Sequence, residues 1–226
     1  ATCVSGRGSK GNIAGHLAWI NLTLKDKLGN ICGHNRESLS VFMRDAEDPS
    51  ATPITMTSFA NPDGSYSISY TAQNPGKYDL KVFLGDREIG KSPYHLRIVP
   101  KSDTQRCKLK EEIVSSEQVY VKNLQFVVDA FLKPCRSLAA TGSKKVTMQD
   151  VDLIFCNMET LLELHINLLK ELEERLQDWP IMDLGDIVLR AAPYYSVYLD
   201  YVNNYLVACK HIQALATKSK EFQSIL

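Results

Sequence analysis

Six cysteines, Cys3, Cys32, Cys107, Cys135, Cys156 and Cys209, are the first candidates for chemistry in this chain. None forms a Cys-x-x-Cys pair and none stands beside a clustered histidine pair, so the ligand spacing that zinc needs is absent and no metal site is expected. They read as free thiols in a reducing compartment. Gly6, Gly8 and Gly11 spell G-x-G-x-x-G. A dinucleotide cradle needs a strand before that run and a helix after it, so that the helix N-terminus meets the pyrophosphate. Here the run sits near the chain start and leads into a strand pattern, so it reads as a flexible lead-in loop. Asn21-Leu22-Thr23 has the form of a glycosylation acceptor but falls inside a predicted strand. His165 lies on an apolar helix side without a metal-spaced partner and is expected to be a hydrogen-bonded core or boundary histidine. Glu171, Glu173 and Glu174 read as a solvated helix face, with no second carboxylate cluster to make an acid–base pair. Without G-x-S-x-G, H-E-x-x-H or a Walker loop, neither covalent nor metal-assisted catalysis is expected, and no cofactor is implied.

The bulk numbers narrow the partners. The 226 residues suit one large domain or two small ones, and 44% hydrophobic with 23% charged residues is a globular balance. A net charge of +0 without a basic stripe gives no electrostatic case for nucleic acid or an anionic membrane. There is no charged-then-apolar leader and no apolar run near the roughly 18 residues a membrane span needs. A soluble cytoplasmic protein with protein partners is the expectation.

The elements that must position any site change character near residue 100. Before it, apolar residues recur with period two: Ile20, Leu22 and Leu24; Leu39, Val41 and Met43; Tyr66, Ile68 and Tyr70; Tyr78, Leu80 and Val82; Tyr94, Leu96 and Ile98. Alternation puts one set of side chains on one sheet face, so these are half-buried strands. Asp26 to Gly29, Pro62-Asp63-Gly64, Asn74-Pro75-Gly76 and Ser92-Pro93 supply the turns between them. Short strands with no intervening helix predict an immunoglobulin-like antiparallel sandwich over residues 1–101.

After Pro100 the spacing becomes helical. Ile113, Glu117, Val121, Leu124, Val128 and Phe131 form one stripe of a long helix that Pro134 should end or kink. Ser137 to Lys145 reads as a loop, and Thr147 with Asp150 has capping-box spacing. A second helix then carries Val151, Ile154, Phe155, Met158, Leu161, Leu162, His165, Leu168, Leu169 and Leu172 and closes at Trp179-Pro180. A third helical region runs from about Ile187 to Leu226, with Pro193 a break in or before it. The fold class is therefore multidomain, all-β followed by all-α, with an antiparallel bundle of long helices over residues 107–226 and a short linker at 102–106.

Three strings in the first part carry a family resemblance. Asn61-Pro62-Asp63-Gly64-Ser65-Tyr66-Ser67-Ile68-Ser69-Tyr70, Asn74-Pro75-Gly76-Lys77-Tyr78-Asp79-Leu80 and Ile89-Gly90-Lys91-Ser92-Pro93-Tyr94 resemble, in order, the D-G-x-Y-x-V-x-Y, P-G-x-Y-x-I and I-x-G-S-P-F segments of the filamin repeat. Gly90-Lys91 departs from that family's usual order. The resemblance implies a spacer or a peptide dock, in which a partner strand adds by β-augmentation. The matching strands here are roughly Ser38 to Arg44 and Ile54 to Phe59. With Leu39, Val41 and Met43 inward, Ser40, Phe42 and Thr55 would line the groove, and the actin cytoskeleton or a receptor-tail peptide is the implied partner.

In the second part, Glu112 to Leu124 and Phe131-Leu132-Lys133-Pro134 are similar to E-L-L-x-T-E-x-x-Y-V-x-x-L and the F-x-x-P that follows it, the first conserved region of the Dbl-homology domain of Rho guanine-nucleotide exchange factors. Ile154-Phe155-Cys156-Asn157-Met158 resembles I-F-x-N-I, and Tyr198, Tyr201, Asn204 and Tyr205 fit Y-x-x-Y-x-x-N. The third conserved region of that family, around Q-R-I-x-R-Y, would lie past Leu226. The resemblance thus implies an incomplete Dbl-homology domain, weak or inactive alone, with uncovered helices that favour dimerisation. It implies a Rho-family GTPase as partner and places Glu117, with Ser116 where threonine is usual, at the GTPase contact. The alternative expectation is a cytoskeletal scaffold or adaptor whose helical part serves assembly.

Overall fold

The computed structural model describes residues 2–32, 38–48, 50–142 and 145–226. The chain forms two compact units, residues 1–110 with 175–182, and residues 111–174 with 183–226.

The first unit is a two-sheet sandwich. Its strands are β1 (Thr2–Ser5), β2 (Gly11–Ile13), β3 (Ala18–Leu24), β4 (Leu39–Asp45), β5 (Met56–Ala60), β6 (Tyr66–Tyr70), β7 (Gly76–Leu84), β8 (Arg87–Glu88) and β9 (Tyr94–Val99). One sheet has the order β1-β3-β6-β5; the other runs β2-β9-β7-β4, with β8 beside β7. All pairs are antiparallel except β2 with β9. The period-two residues meet between the sheets: Ile20, Leu22, Met43, Ile68, Tyr70, Leu80, Val82, Leu96 and Ile98 are all buried. Tyr70 is core despite its hydroxyl because that hydroxyl donates to the Gly8 carbonyl at 2.8 Å.

That contact overturns the reading of the glycine run as a flexible lead-in. Residues 2–13 form two strands around a 3-10 turn, Arg7–Ser9. Gly11 has φ +150°, and a Cβ there would lie 1.8 Å from the Arg97 carbonyl oxygen. The glycine is what lets β2 approach β9 so closely.

A second apolar cluster in this unit lies where β2 and β9 end. Ile13, Val99, Cys107, Trp179 and Met182 are buried together, with Leu176 against them. The Arg7 guanidinium sits 4.1 Å above the Trp179 ring. The Cys107 thiol donates to the Pro180 carbonyl at 3.6 Å, and Lys110 Nζ donates to the Met182 carbonyl. Burial pushes the Cys107 thiol above its ordinary value, so it stays protonated and packs as a small apolar group.

The helices are α1 (Thr104–Val127), α2 (Lys133–Ala140), α3 (Met148–Phe155), α4 (Met158–Leu176), α5 (Gly185–Ala191), α6 (Val197–Lys218) and α7 (Lys220–Gln223). The residues expected as a linker, 102–106, are divided between a 3-10 turn, Lys101–Asp103, and the first residues of α1. Pro134 does not end the helix. A π-helical turn at Val128–Leu132 joins α1 to α2, and the widened turn accommodates a residue that brings no N–H. The expected loop from Ser137 is helical to Ala140, because Leu138 and Ala139 pack against the core of the second unit; Ser143 and Lys144 lie outside the described residues. On α1 the buried position is Val114 rather than Ile113, which is exposed.

The second unit is built around Leu124, Val128, Leu132, Cys135, Val151, Ile154, Phe155, Leu162, Leu215 and Phe222. The capping box at α3 is formed: Thr147 Oγ1 accepts from the Asp150 amide, and Asp150 Oδ2 accepts from the Thr147 amide. His211 Nε2 lies 2.6 Å from the other carboxylate oxygen. Burial of Asp150 works against its charge, but the Thr147 hydrogen bonds and His211 outweigh it and hold the carboxyl below its ordinary 3.8. This contribution is present above that value and fades as pH falls through the lowered one. Thr147→Ala should cost about 1 kcal/mol at neutral pH and less near pH 3, read as the change in urea midpoint at each pH.

The second predicted helix is two. It breaks at Cys156, where φ is +48° and ψ −122°, a backbone conformation that suits glycine. Cys156→Gly should raise stability by roughly 1 kcal/mol, the relieved strain exceeding the added chain entropy. An unchanged or lower thermal midpoint would show that the surroundings carry no strain there.

Candidate functional site

Glu117 leaves α1 at the point where that helix lies along α4 and the start of α6. It is a carboxylate on an otherwise apolar stripe, and its side chain is only 16% exposed. Such a group needs a partner. His165, buried on α4, supplies it: Nδ1 is 2.5 Å from Glu117 Oε1. The other ring nitrogen, Nε2, is 2.7 Å from the Tyr198 hydroxyl of α6, which is in turn 2.7 Å from the Tyr120 hydroxyl of α1. Four polar side chains from three helices thus form one continuous line.

Aromatic packing fixes this line in place. The Tyr120 ring meets His165 edge-on at 4.7 Å between centroids, and Tyr195, from the 3-10 turn Ala192–Ser196, stacks on Tyr198 at 6.0 Å. Burial first, then the bond to Tyr120 and the nearby Glu117, pushes the Tyr198 phenol far above its ordinary value; Tyr195 shifts the same way. Both stay protonated donors at any physiological pH.

The elements are tied by two asparagines. At the α3–α4 elbow, Asn157 donates its amide to the Val197 carbonyl at 2.8 Å. Seven residues further along α6, Asn204 donates to the Leu153 carbonyl at 2.7 Å. These are the asparagines of the I-F-x-N and Y-x-x-Y-x-x-N strings, and both act as structural ties.

The other expected site residues lie elsewhere. Ser116 is exposed and turns its hydroxyl back onto its own helix, donating to the Glu112 and Ile113 carbonyls. In the sandwich, Phe42 is 47% exposed and packs edge-on against Phe83 at 5.9 Å, on the outer face of its sheet. Ser40 is half-buried on the same strand; Thr55 is exposed just after Ile54, whose amide donates to the Met43 carbonyl. Part of the free edge of β4 is therefore already occupied. Of the acidic run, Glu171 pairs with Arg190 at 2.6 Å and Glu173 accepts from Gln118 at 2.7 Å, both exposed. Among the described residues no three of His, Cys, Asp and Glu gather as metal ligands, and no helix is long and apolar enough to cross a membrane.

The arrangement offers no nucleophile with a general base at hand. It holds a half-buried carboxylate with one oxygen engaged from inside. Tyr120, Tyr195 and Tyr198 were not among the site residues expected from sequence. Their signal was there: a tyrosine-rich stretch opening a helix, with a lone histidine and a lone carboxylate on two apolar stripes.

Comparison with known proteins gives a family match in each half of the chain. A model of the RhoGEF domain matches residues 109–226, and one of the Filamin/ABP280 repeat matches residues 1–95. Ras-specific guanine nucleotide-releasing factor 1 of Mus musculus is 29% identical over 129 residues, covering 56% of this chain and 10% of that protein. Rac guanine nucleotide exchange factor B of Dictyostelium discoideum is 28% identical over 167 residues, covering 62% of this chain and 14% of that protein. FYVE, RhoGEF and PH domain-containing protein 2 of Homo sapiens is 31% identical over 121 residues, covering 53% and 18%. The chain thus spans less than a fifth of the length of each of these relatives.

Proposed function

Because this chain belongs to the RhoGEF domain family, we propose that it is a segment of an exchange factor for a Rho-family GTPase, with a filamin-type module in front. Exchange needs no covalent chemistry. A factor that binds the nucleotide-free GTPase more tightly than the loaded one weakens nucleotide binding by the same factor. The carboxylate of Glu117 is the group proposed to engage the GTPase's first switch loop, competing with the contacts that hold phosphate and magnesium. The observation that carries this reading is the half-buried Glu117 with one oxygen held by His165. Ser116 beside it is proposed to contribute contact only.

Release of a fluorescent guanine nucleotide from a panel of Rho-family GTPases tests it, together with capture of the same GTPases stripped of nucleotide. Preferential capture of the stripped form, lost in Glu117→Ala, is the expected result. A folded chain that captures none and accelerates none would move the helical part to the scaffold reading.

For the sandwich we propose peptide docking along β4, supported by the exposure of Phe42. Co-sedimentation with actin filaments, with Phe42→Ala as control, tests one such partner; no difference between the two forms removes Phe42 from the surface. Leu199, Val202 and Leu206 are exposed along α6 at steps of three and four, which supports self-association. Sedimentation velocity should show a dimer that Val202→Asp returns to monomer.

A further inference from the structure

We propose that His165 and Tyr198 are positioning residues for Glu117, holding its carboxylate in one rotamer with one oxygen left for the partner. The inference rests on the exchange reading above and adds to it which buried groups make Glu117 effective.

The geometry fixes the roles. A carboxylate only accepts, so the hydrogen between His165 Nδ1 and Glu117 Oε1 belongs to the imidazole. In the neutral ring Nε2 is then the acceptor, and the Tyr198 hydroxyl must donate to it. The Tyr198 oxygen in turn receives the Tyr120 hydroxyl hydrogen. Each donor in the line has one acceptor: Glu117, which only accepts, sets the tautomer of His165, and the Tyr198 hydroxyl supports it by donating to Nε2. His165 itself cannot reorient, with Tyr120, Tyr195 and Tyr198 around its ring at 4.7, 6.1 and 5.8 Å.

This matters because glutamate is a long, mobile side chain. On a bare helix surface it loses several rotamers when a partner binds, and that loss subtracts from affinity. Here the loss is taken on folding. The His165 contact engages Oε1, and the side chain retains 16% exposure through which a partner donor can approach. The direction of the carboxylate is set before the GTPase arrives.

The test combines variants with a spectrum. Tyr198→Phe keeps the ring and removes the donor to Nε2. His165→Leu removes the donor to Glu117, whereas His165→Asn carries an amide nitrogen where Nδ1 stood. In the full chain, Tyr198→Phe and His165→Leu should weaken binding to a stripped Rho-family GTPase by roughly three- to tenfold, and His165→Asn should restore most of it. On a Glu117→Gln background the same substitutions should have almost no further effect. A role in stability alone would give equal losses on both backgrounds, and that result overturns the proposal, as does unchanged affinity in folded Tyr198→Phe. Nitrogen-15 spectra of the imidazole provide the independent arm: His165 should show a protonated Nδ1 and a bare Nε2, with Nδ1 shifted in Glu117→Gln. A protonated Nε2 with a bare Nδ1 overturns the positioning geometry, whatever the GTPase does. If the spectrum is as expected but no GTPase in the panel binds, the exchange reading fails and takes the role toward a partner with it, leaving a structural contact.

Discussion

Trp179→Ala should lower the stability of the sandwich-containing unit by about 3–5 kcal/mol, the range for emptying a buried aromatic site. Its ring is 7% exposed and fills the space between Ile13, Val99, Cys107 and Met182. The substitution also removes the ring beneath the Arg7 guanidinium, a further loss of about 0.5–1 kcal/mol. Trp179→Phe should cost far less. The indole Nε1 is buried without a hydrogen-bond partner, so phenylalanine removes an unsatisfied donor while it loses volume. Circular dichroism near the sheet minimum, followed through a urea titration, measures both variants. Equal losses for alanine and phenylalanine would mean that ring volume matters less than the edge contacts.

Gly11→Ala should be comparably severe, at about 3 kcal/mol or more, for a backbone reason. A methyl at that position would stand 1.8 Å from a carbonyl carbon's oxygen on β9, at a φ of +150° that side chains seldom adopt. Relief requires β2 to leave β9, which uncovers Ile13 and Val99 together. Amide exchange at residues 11–13 and 97–99 should accelerate before the rest of the sandwich is affected. Protection equal to that of the parent chain would show that the strand pair can shift as a body.

These two positions also mark where sequence was a good guide and where it was not. Tyr70, Leu80 and Ile98 announce their burial by local alternation, because a strand's faces are set by its own backbone. Thr147 and Asp150 announce a helix start because the partners are three residues apart. Trp179 gives no such signal. Its contacts are with residues 72 to 166 positions earlier in the chain, such as Cys107 and Ile13, and periodicity is silent on contacts of that range. The glycine run reads as a flexible lead-in, but its glycines answer to backbone approach: a Cβ at Gly8 or Gly11 would lie 2.7 or 1.8 Å from a carbonyl oxygen of a neighbouring strand. Pro134 announces an irregularity in its helix but not that it takes the form of a π-turn, and the break at Cys156 was invisible because cysteine does not force the observed geometry. At the candidate site, Glu117 was placed by resemblance and His165 by its apolar stripe. What joined them was a contact across 48 residues, which neither local pattern contains.

The two asparagine ties have a mechanical meaning. A single hydrogen bond between two rods is a pivot: it stops neither turning nor, with modest stretch, sliding. Two, set seven residues or about 10 Å apart on one rod, remove both degrees of freedom. The opening of α6 cannot slip by a turn past the α3–α4 elbow without shearing both bonds at once. Tyr198 is the next residue after one of those anchoring carbonyls. Any displacement it undergoes must therefore carry the elbow as a rigid lever, which turns small local adjustments of the tyrosine into movement of the whole corner or prevents them altogether.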